Sequence, residues 1–231
     1  VPSRYCGRSP VQLSSYVVFT GLGRTNGDGY VFTLTEPDGA RAWFPANDHP
    51  RDKGQFRCEL TVPQGLTAVA NGLLRDEAVQ PLPLPEPQAG DTFVWQHDFQ
   101  MAPYLALVAV GEYERVEAPA VNGIQIRHYI APEVHDEALE ALTVNGEALQ
   151  FLESQFGPYP FEAFGIVTVP AGSTALETQT MSLIGYDVLG KQTLVHEMAH
   201  MWFGNDVSID SWAQMWWKEG MATYATSLWN N

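Results

Sequence analysis

The chain has 231 residues, 45% of them hydrophobic and 17% charged, which describes a globular protein able to bury a substantial core rather than a disordered one. Twelve Lys and Arg against 27 Asp and Glu leave a net charge of −15, which argues against recognition of a phosphate backbone, so no nucleic-acid partner is expected. No run reaches the roughly eighteen apolar residues of a membrane span, and two cysteines, Cys6 and Cys58, are too few for a disulfide scaffold.

The first half reads as β-structure. Ser15 to Gly21 and Gly29 to Thr35 are rich in β-branched and aromatic residues around a Gly- and Asn-containing loop, which predicts a hairpin. From Gln55 the residues Phe56, Cys58, Leu60 and Val62 alternate with Arg57, Glu59 and Thr61, the period of a strand with one buried face. Pro63-Gln64-Gly65 turns the chain into LTAVANGLL, which Asn71-Gly72 interrupts. The run PLPLPEP, Pro81 to Pro87, predicts an extended, exposed loop. Phe93, Trp95, His97 and Phe99 alternate again, with His97 expected as a satisfied core histidine. Tyr104 to Val110 is expected as one continuous apolar strand. Short strands at this spacing predict an antiparallel sandwich or saddle.

After Pro132 the period changes. Val134, Ala138, Leu139, Leu142, Leu149 and Leu152 follow helical spacing across Gly146. Phe164 to Pro170 predicts a further strand, then a loop, AGSTALETQT. Two helices follow, one over Leu194 to Phe203 and one from Trp212 onward, the second with a capping box, Ser211-x-x-Gln214. The four tryptophans from Trp202 to Trp217 are expected to pack a core. The fold class is therefore α+β: an N-terminal all-β domain over 1–131 that lacks its first strands, then a second domain over 132–231. The chain opens without Met and closes on MATYATSLWNN without a terminating Gly or Pro, so both ends are expected to be cuts in a longer protein.

His196-Glu197-Met198-Ala199-His200 carries the chemistry. Residues four apart on a helix share a face, so both imidazoles can reach one ion, and Glu197, about 100° round the helix, flanks it. A carboxylate there can take a proton from a water on the metal. A zinc site needs a third protein ligand and an open position. Glu219 is the candidate, on the next helix with eighteen residues between it and His200, and Gly204 to Asp210 as the reversing loop. Leu194, Val195, Met198, Met201 and Trp202 supply an apolar seat. Asn205, Asp206 and Lys218 are polar neighbours whose pairing the sequence leaves open. His49, His128 and His135 have no helical partner.

HEMAHMWFGNDVSIDSWAQMWWKEGMATYA resembles the active-site segment of the alanyl aminopeptidase family, gluzincins that also include leukotriene hydrolase. TALET, Thr174 to Thr178, is similar to that family's GAMEN loop, with the first Gly, the Met and the final Asn replaced. EPDGARAWFPANDHP, Glu36 to Pro50, is similar to a stretch of its N-terminal β domain. The resemblance runs from about Val31 to the end. It implies a thermolysin-like catalytic domain, truncated at its C-terminal side here, and one Zn2+ held by His196, His200 and Glu219. It implies peptide substrates with a free N-terminus, Glu197 as general base toward a zinc-bound water, and Glu177 and Glu36 binding the substrate amine. An ammonium held between carboxylates would fix the first peptide bond over the metal.

The family's oxyanion tyrosine lies well downstream of its third zinc ligand. Only twelve residues follow Glu219, so Tyr224 is not assigned that role, and the rest of the catalytic domain is expected as a C-terminal partner segment. By itself the chain is expected to bind zinc better than it cleaves peptides. The alternatives are a thermolysin-type zinc endopeptidase, which shares the ligands but lacks the amine anchor, and a non-catalytic zinc-binding, β-rich module. Preferred N-terminal residue, localisation, oligomeric state and a Cys6–Cys58 pairing are not legible.

Overall fold

Period-two segments of the first half fold into two antiparallel sheets in the computed structural model, which describes residues 21–24, 29–76 and 90–231. Strand β1 (Gly21–Arg24) pairs antiparallel with β2 (Val31–Leu34). The expected hairpin thus has its first strand at 21–24, while 15–20, Cys6 and the PLPLPEP loop lie outside the described residues. Next come β3 (Gly54–Pro63), β4 (Thr67–Ala70), β5 (Leu73–Arg75), β6 (Gly90–Met101) and β7 (Val108–Gly111). One sheet has the order β1-β2-β7-β4 and the other β3-β6-β5. Cys58 faces Trp95 and Leu60 faces Phe93 across β3 and β6, so the alternation read from the sequence is the one that packs. Cys58 is a free thiol whose pKa burial pushes up to about 11.

Two local expectations change, and the Asn71-Gly72 interruption gains a meaning. The strand expected over Tyr104 to Val110 begins only at Val108, because Pro103 starts a short 3-10 turn over Pro103–Leu105. The expected interruption at Asn71-Gly72 carries the chain from one sheet to the other, since β4 pairs with β7 and β5 with β6. Phe99, expected on the buried face of its strand, is 41% exposed, with its ring against His97 and Phe161.

Strands β8 (Glu114–Val121) and β9 (Ile124–Ile130) precede the helical half yet belong to its sheet. Helices α1 (His135–Leu142) and α2 (Asn145–Phe156) follow, then β10 (Ala163–Phe164), β11 (Ile166–Val169), β12 (Ala175–Leu176) and β13 (Ser182–Gly185). The single helix expected across Val134 to Leu152 is broken at Thr143, whose hydroxyl donates to the Glu140 carbonyl at 2.7 Å. Helices α3 (Lys191–Ala199) and α4 (Met215–Trp229) complete the described fold. The sheet runs β10-β9-β11-β13-β12, with β8 on β9; β9, β11 and β13 are parallel, and β12 is an antiparallel edge strand.

This sheet is the middle layer of the molecule. Ile126, Ile130, Ile166 and Ile184 pack against Leu149, Leu152, Leu194, Val195 and Met198 of the helices. On the other face Tyr129, Val167, Val169 and Leu183 meet Phe32, Leu34, Val69, Trp95 and Leu107 of the β half. Burial on both faces explains the β-branched run of β11, with its one polar residue, Thr168, satisfied by the Ala131 N–H at 2.8 Å, and each fully buried aliphatic contributes about 1.5–3 kcal/mol over its exposed state. Gly165 precedes that run because a Cβ there would lie 1.6 Å from the Arg127 carbonyl oxygen. No helix among the described residues is long and apolar enough to cross a membrane.

Candidate metal centre

Helix α3 ends one residue before the second histidine. His200 is its C-cap, with φ −59° and ψ −22°, and its N–H still reaches the His196 carbonyl at 3.2 Å. The helical spacing of the two imidazoles therefore survives although the helix expected to Phe203 stops at Ala199. Gly204, at φ +124°, reverses the chain in a backbone region that suits glycine. Its N–H donates to the Val207 carbonyl at 2.9 Å. The reversal lets α4 return along α3 and present Glu219. The start of α4 differs from the capping box: Ser211 makes no side-chain cap, and Gln214 Oε1 accepts the Asp210 N–H at 2.7 Å instead.

His196 Nε2 and His200 Nε2 are 3.1 Å apart, and Glu219 Oε2 lies 3.4 Å from the first and 3.5 Å from the second. A tetrahedral centre with ligand bonds of about 2.0–2.1 Å separates its donors by roughly 3.3 Å, so this triangle has the size zinc requires. His200 Nδ1 donates to the Phe203 carbonyl at 3.0 Å, which makes Nε2 the nitrogen that faces a metal. Partial burial opposes ionisation of Glu219, but the two imidazoles hold its carboxyl far below the ordinary carboxylate range. His200 is pushed the other way: burial disfavours its cation, yet the carboxylates of Glu177 and Glu219 raise its pKa to about 9.

The same three residues border a cavity of about 320 Å³ that Glu36, Pro37, Ala175, Glu177, Glu197 and Met215 also line. Glu197 is 5% exposed, and its Oε2 has no hydrogen-bond partner among the described residues. Burial is the main reason its pKa rises to about 8. Glu36 follows β2, and Glu177 follows the edge strand β12. The structure thus brings all six residues singled out by sequence into one cavity. His196 also borders a second cleft, between α3 and α4, lined by Thr193, Thr223, Thr226 and Ser227, with no carboxylate.

Lys218 is the residue that sequence reasoning left undecided. Its side chain is fully buried, and its Nζ lies 2.6 Å from Glu36 Oε1, 2.6 Å from Glu177 Oε1 and 2.7 Å from Glu219 Oε1. Burial alone would lower its pKa; the carboxylates outweigh that and raise it well above the ordinary lysine value. In return Lys218 holds Glu177 ionised against the cost of burial. Glu36 rises to about 7, from burial and the neighbouring Glu177 charge, against the pull of Lys218. The sequence signal was its place beside Glu219 in a lysine-poor chain, and it was not enough to foresee burial.

Asn205 and Lys53 tie the centre to both halves. Asn205 Nδ2 donates to the Glu177 carbonyl at 2.8 Å, and Lys53 Nζ donates to the carbonyls of Asn205 at 2.7 Å and Asp206 at 3.0 Å. His97 is a satisfied core histidine, as expected, between Glu162 and Gln179 at 2.8 Å each. Of the four tryptophans, Trp202 is buried, but Trp216 is 72% exposed and packs no core among the described residues.

Two family models match this chain: the Peptidase M1 N-terminal domain over residues 16–105 and the Peptidase family M1 domain over 140–231. The chain belongs to peptidase family M1. Aminopeptidase M1 of Arabidopsis thaliana is 31% identical over 214 residues, covering 85% of this chain and 23% of that protein. Aminopeptidase N of Homo sapiens is 32% identical over 209 residues, covering 82% of this chain and 21% of that protein. Among solved structures, an M1 zinc metallopeptidase from Deinococcus radiodurans superposes with a TM-score of 0.82 at 31% identity, over 91% of this chain and 47% of that one. An E323A mutant of that enzyme bound to a Tyr-Ser-Ala substrate gives a TM-score of 0.81 at 30% identity, covering 91% of this chain and 48% of that one. The chain thus spans between a fifth and a quarter of the curated M1 relatives it matches, and about half of these M1 structures. The β-rich first half and mixed second half are the architecture of this family.

Proposed function

We propose that these residues are the metal-bearing part of a zinc aminopeptidase that releases N-terminal residues from peptides. The observation that carries this reading is the single cavity. A zinc-sized donor triangle and a buried carboxylate, Glu197, share it with two further carboxylates, Glu36 and Glu177. The family relatives named above are aminopeptidases, which supports the same reading.

His196, His200 and Glu219 would hold the ion. Zinc, when bound, supplies Lewis acidity toward the scissile carbonyl and lowers the pKa of water. Glu197 takes a proton from the attacking water and passes it to the leaving amine. Its pKa near 8 without metal suits both steps, and a dication nearby favours the carboxylate it needs for the first. Glu177 and Glu36 bind the substrate ammonium, which enters a cluster already holding the Lys218 charge. A peptide without that ammonium gains nothing from the two carboxylates and must desolvate them, so the anchor selects for chain ends.

The test is hydrolysis by the complete polypeptide that carries these residues, with a free-amine peptide and its N-acetylated twin. The free peptide is expected to be cleaved and the acetylated one left intact. Glu197→Gln should keep zinc and lower kcat by about 10²–10⁴-fold. Equal cleavage of both peptides would replace this reading with an endopeptidase. Full activity in the glutamine variant would remove Glu197 from the mechanism. Absence of bound zinc would leave a non-catalytic module.

A further inference from the structure

Glu177 sits on the segment between β12 and β13, and that segment is held from the β half of the molecule. Thr180 is a β-branched residue at φ +67°, a backbone region such residues rarely adopt. Three groups fix it there. Its Oγ1 accepts the Gly72 N–H at 2.8 Å, its carbonyl accepts the Arg127 guanidinium at 2.6 Å, and its own N–H faces Met201 Sδ at 3.5 Å. Beside it, the Gln179 carbonyl accepts Asn71 Nδ2 at 2.7 Å.

The Asn71-Gly72 turn is itself rigid. Asn71 Nδ2 also donates to the Leu105 carbonyl at 3.0 Å, and its Oδ1 accepts the Leu107 N–H at 2.7 Å. Gly72, at φ +83°, presses on β6 so closely that a Cβ would lie 2.1 Å from the Gln96 carbonyl oxygen. Arg127, on the face of β9 turned toward the β half, donates its second nitrogen to the Gly72 carbonyl at 2.5 Å. It is 2% exposed and has no carboxylate within ion-pair distance among the described residues. A buried guanidinium whose hydrogen bonds go to carbonyls rather than to a paired carboxylate is an expensive way to stabilise a core. It is a specific way to fix two backbone segments against each other, because its planar fork sets both distances at once.

We propose that Asn71, Gly72 and Arg127 form a latch that fixes the 178–181 segment, making Asn71 and Arg127 positioning residues for the Glu177 carboxylate. The latch rests on the reading of Glu177 as the amine anchor. Neither residue touches the cavity; each acts through the backbone of Gln179 and Thr180, two and three residues past Glu177. The prediction is thus a loss of substrate-amine binding without loss of metal.

The experiment uses Arg127→Met and Asn71→Ala in the complete zinc-loaded polypeptide, with Arg127→Lys as the conservative variant and Glu177→Gln as the control. Each latch variant should raise KM for a free-amine peptide by about tenfold while kcat changes by less than about threefold. Arg127→Lys, able to reach one carbonyl at a time, should recover part of the loss. Zinc affinity should stay within about twofold, and amide exchange at Thr178 and Met181 should quicken by at least about tenfold. A merely structural role would instead lower zinc affinity and kcat together. If Glu177→Gln raises KM and the latch variants do not, the latch is wrong and the amine reading stands. If Glu177→Gln leaves KM unchanged, the amine reading has failed, and unchanged exchange at Thr178 and Met181 in Asn71→Ala would overturn the latch as well. Should Arg127→Met fail to fold, Thr180→Val removes only the acceptor for the Gly72 N–H, and an unchanged KM and exchange rate there overturn the proposal.

Discussion

Replacing Lys218 by Met removes the charge around which the carboxylates of the cavity are gathered. Methionine keeps most of the length and apolar stem of lysine, so the packing change is small and the electrostatic change is isolated. The partners differ in burial. The Glu177 side chain is 4% exposed, Glu36 is 22% exposed and Glu219 is 43% exposed. Water screens most of the Glu219 interaction, so the cost falls on the first two. Breaking a buried pair from one side costs about 3–5 kcal/mol, because the remaining charge stays buried without compensation. In a protein of this size 1 kcal/mol moves Tm by about 2–4 °C, so the metal-free variant should melt roughly 6–20 °C lower. Thermal unfolding followed by circular dichroism, with and without zinc, is the assay. Zinc should recover part of the loss, since a dication beside Glu219 restores positive charge to the cluster, and Glu36→Gln added to Lys218→Met should recover more. A metal-free Lys218→Met protein that melts within about 2 °C of the parent would refute the reasoning.

Zinc uptake should release protons. His200, raised to about 9, carries a proton at pH 7 that a metal must displace, so affinity should climb with pH by up to about tenfold per unit until about pH 9. Zinc titrations between pH 6 and 8 check this, and a flat profile would contradict it. His128 makes the opposite kind of linkage. Burial, and then the Arg127 charge, lowers its pKa to about 3, and its Nδ1 accepts the Ile166 N–H at 3.2 Å. The unfolded chain therefore binds a proton that the folded chain refuses between about pH 6.5 and 3, and stability is lost as pH falls through that window. His128→Gln should flatten the slope of stability against pH there by about 1.4 kcal/mol per unit. Urea denaturation at pH 6 and pH 4 measures this, and an equal loss of stability in parent and variant would show that His128 is not held neutral.

Much of the centre was legible because its geometry is local. The i, i+4 spacing of His196 and His200 holds even though the second histidine caps its helix rather than lying inside it. Glu219 was reachable because a glycine-bearing loop between two helices leaves them little choice but to pack antiparallel. The β3 alternation was legible for the same reason: period two on a half-buried surface is a one-strand property. What stayed hidden depends on pairing distant segments. Nothing in the local pattern of β9 says that it joins β10 and β11 in parallel, and that pairing joins the β half to the layer that carries the site. The pairing of Lys218 stayed open, because its burial needs Glu36 and Glu177, which stand 182 and 41 residues upstream, to arrive at the same point. Arg127 and Thr180 gave no signal at all, since neither a buried guanidinium nor a left-handed threonine is written in a motif.

The metal centre is the claim on which the rest depends, and X-ray absorption at the zinc edge of the purified protein tests it most directly. One zinc per chain is expected, with two imidazole nitrogens and a carboxylate oxygen at about 2.0–2.2 Å, and loss of that signature in His200→Ala. Zinc that stays bound with unchanged coordination in the His196→Ala, His200→Ala double variant would contradict it.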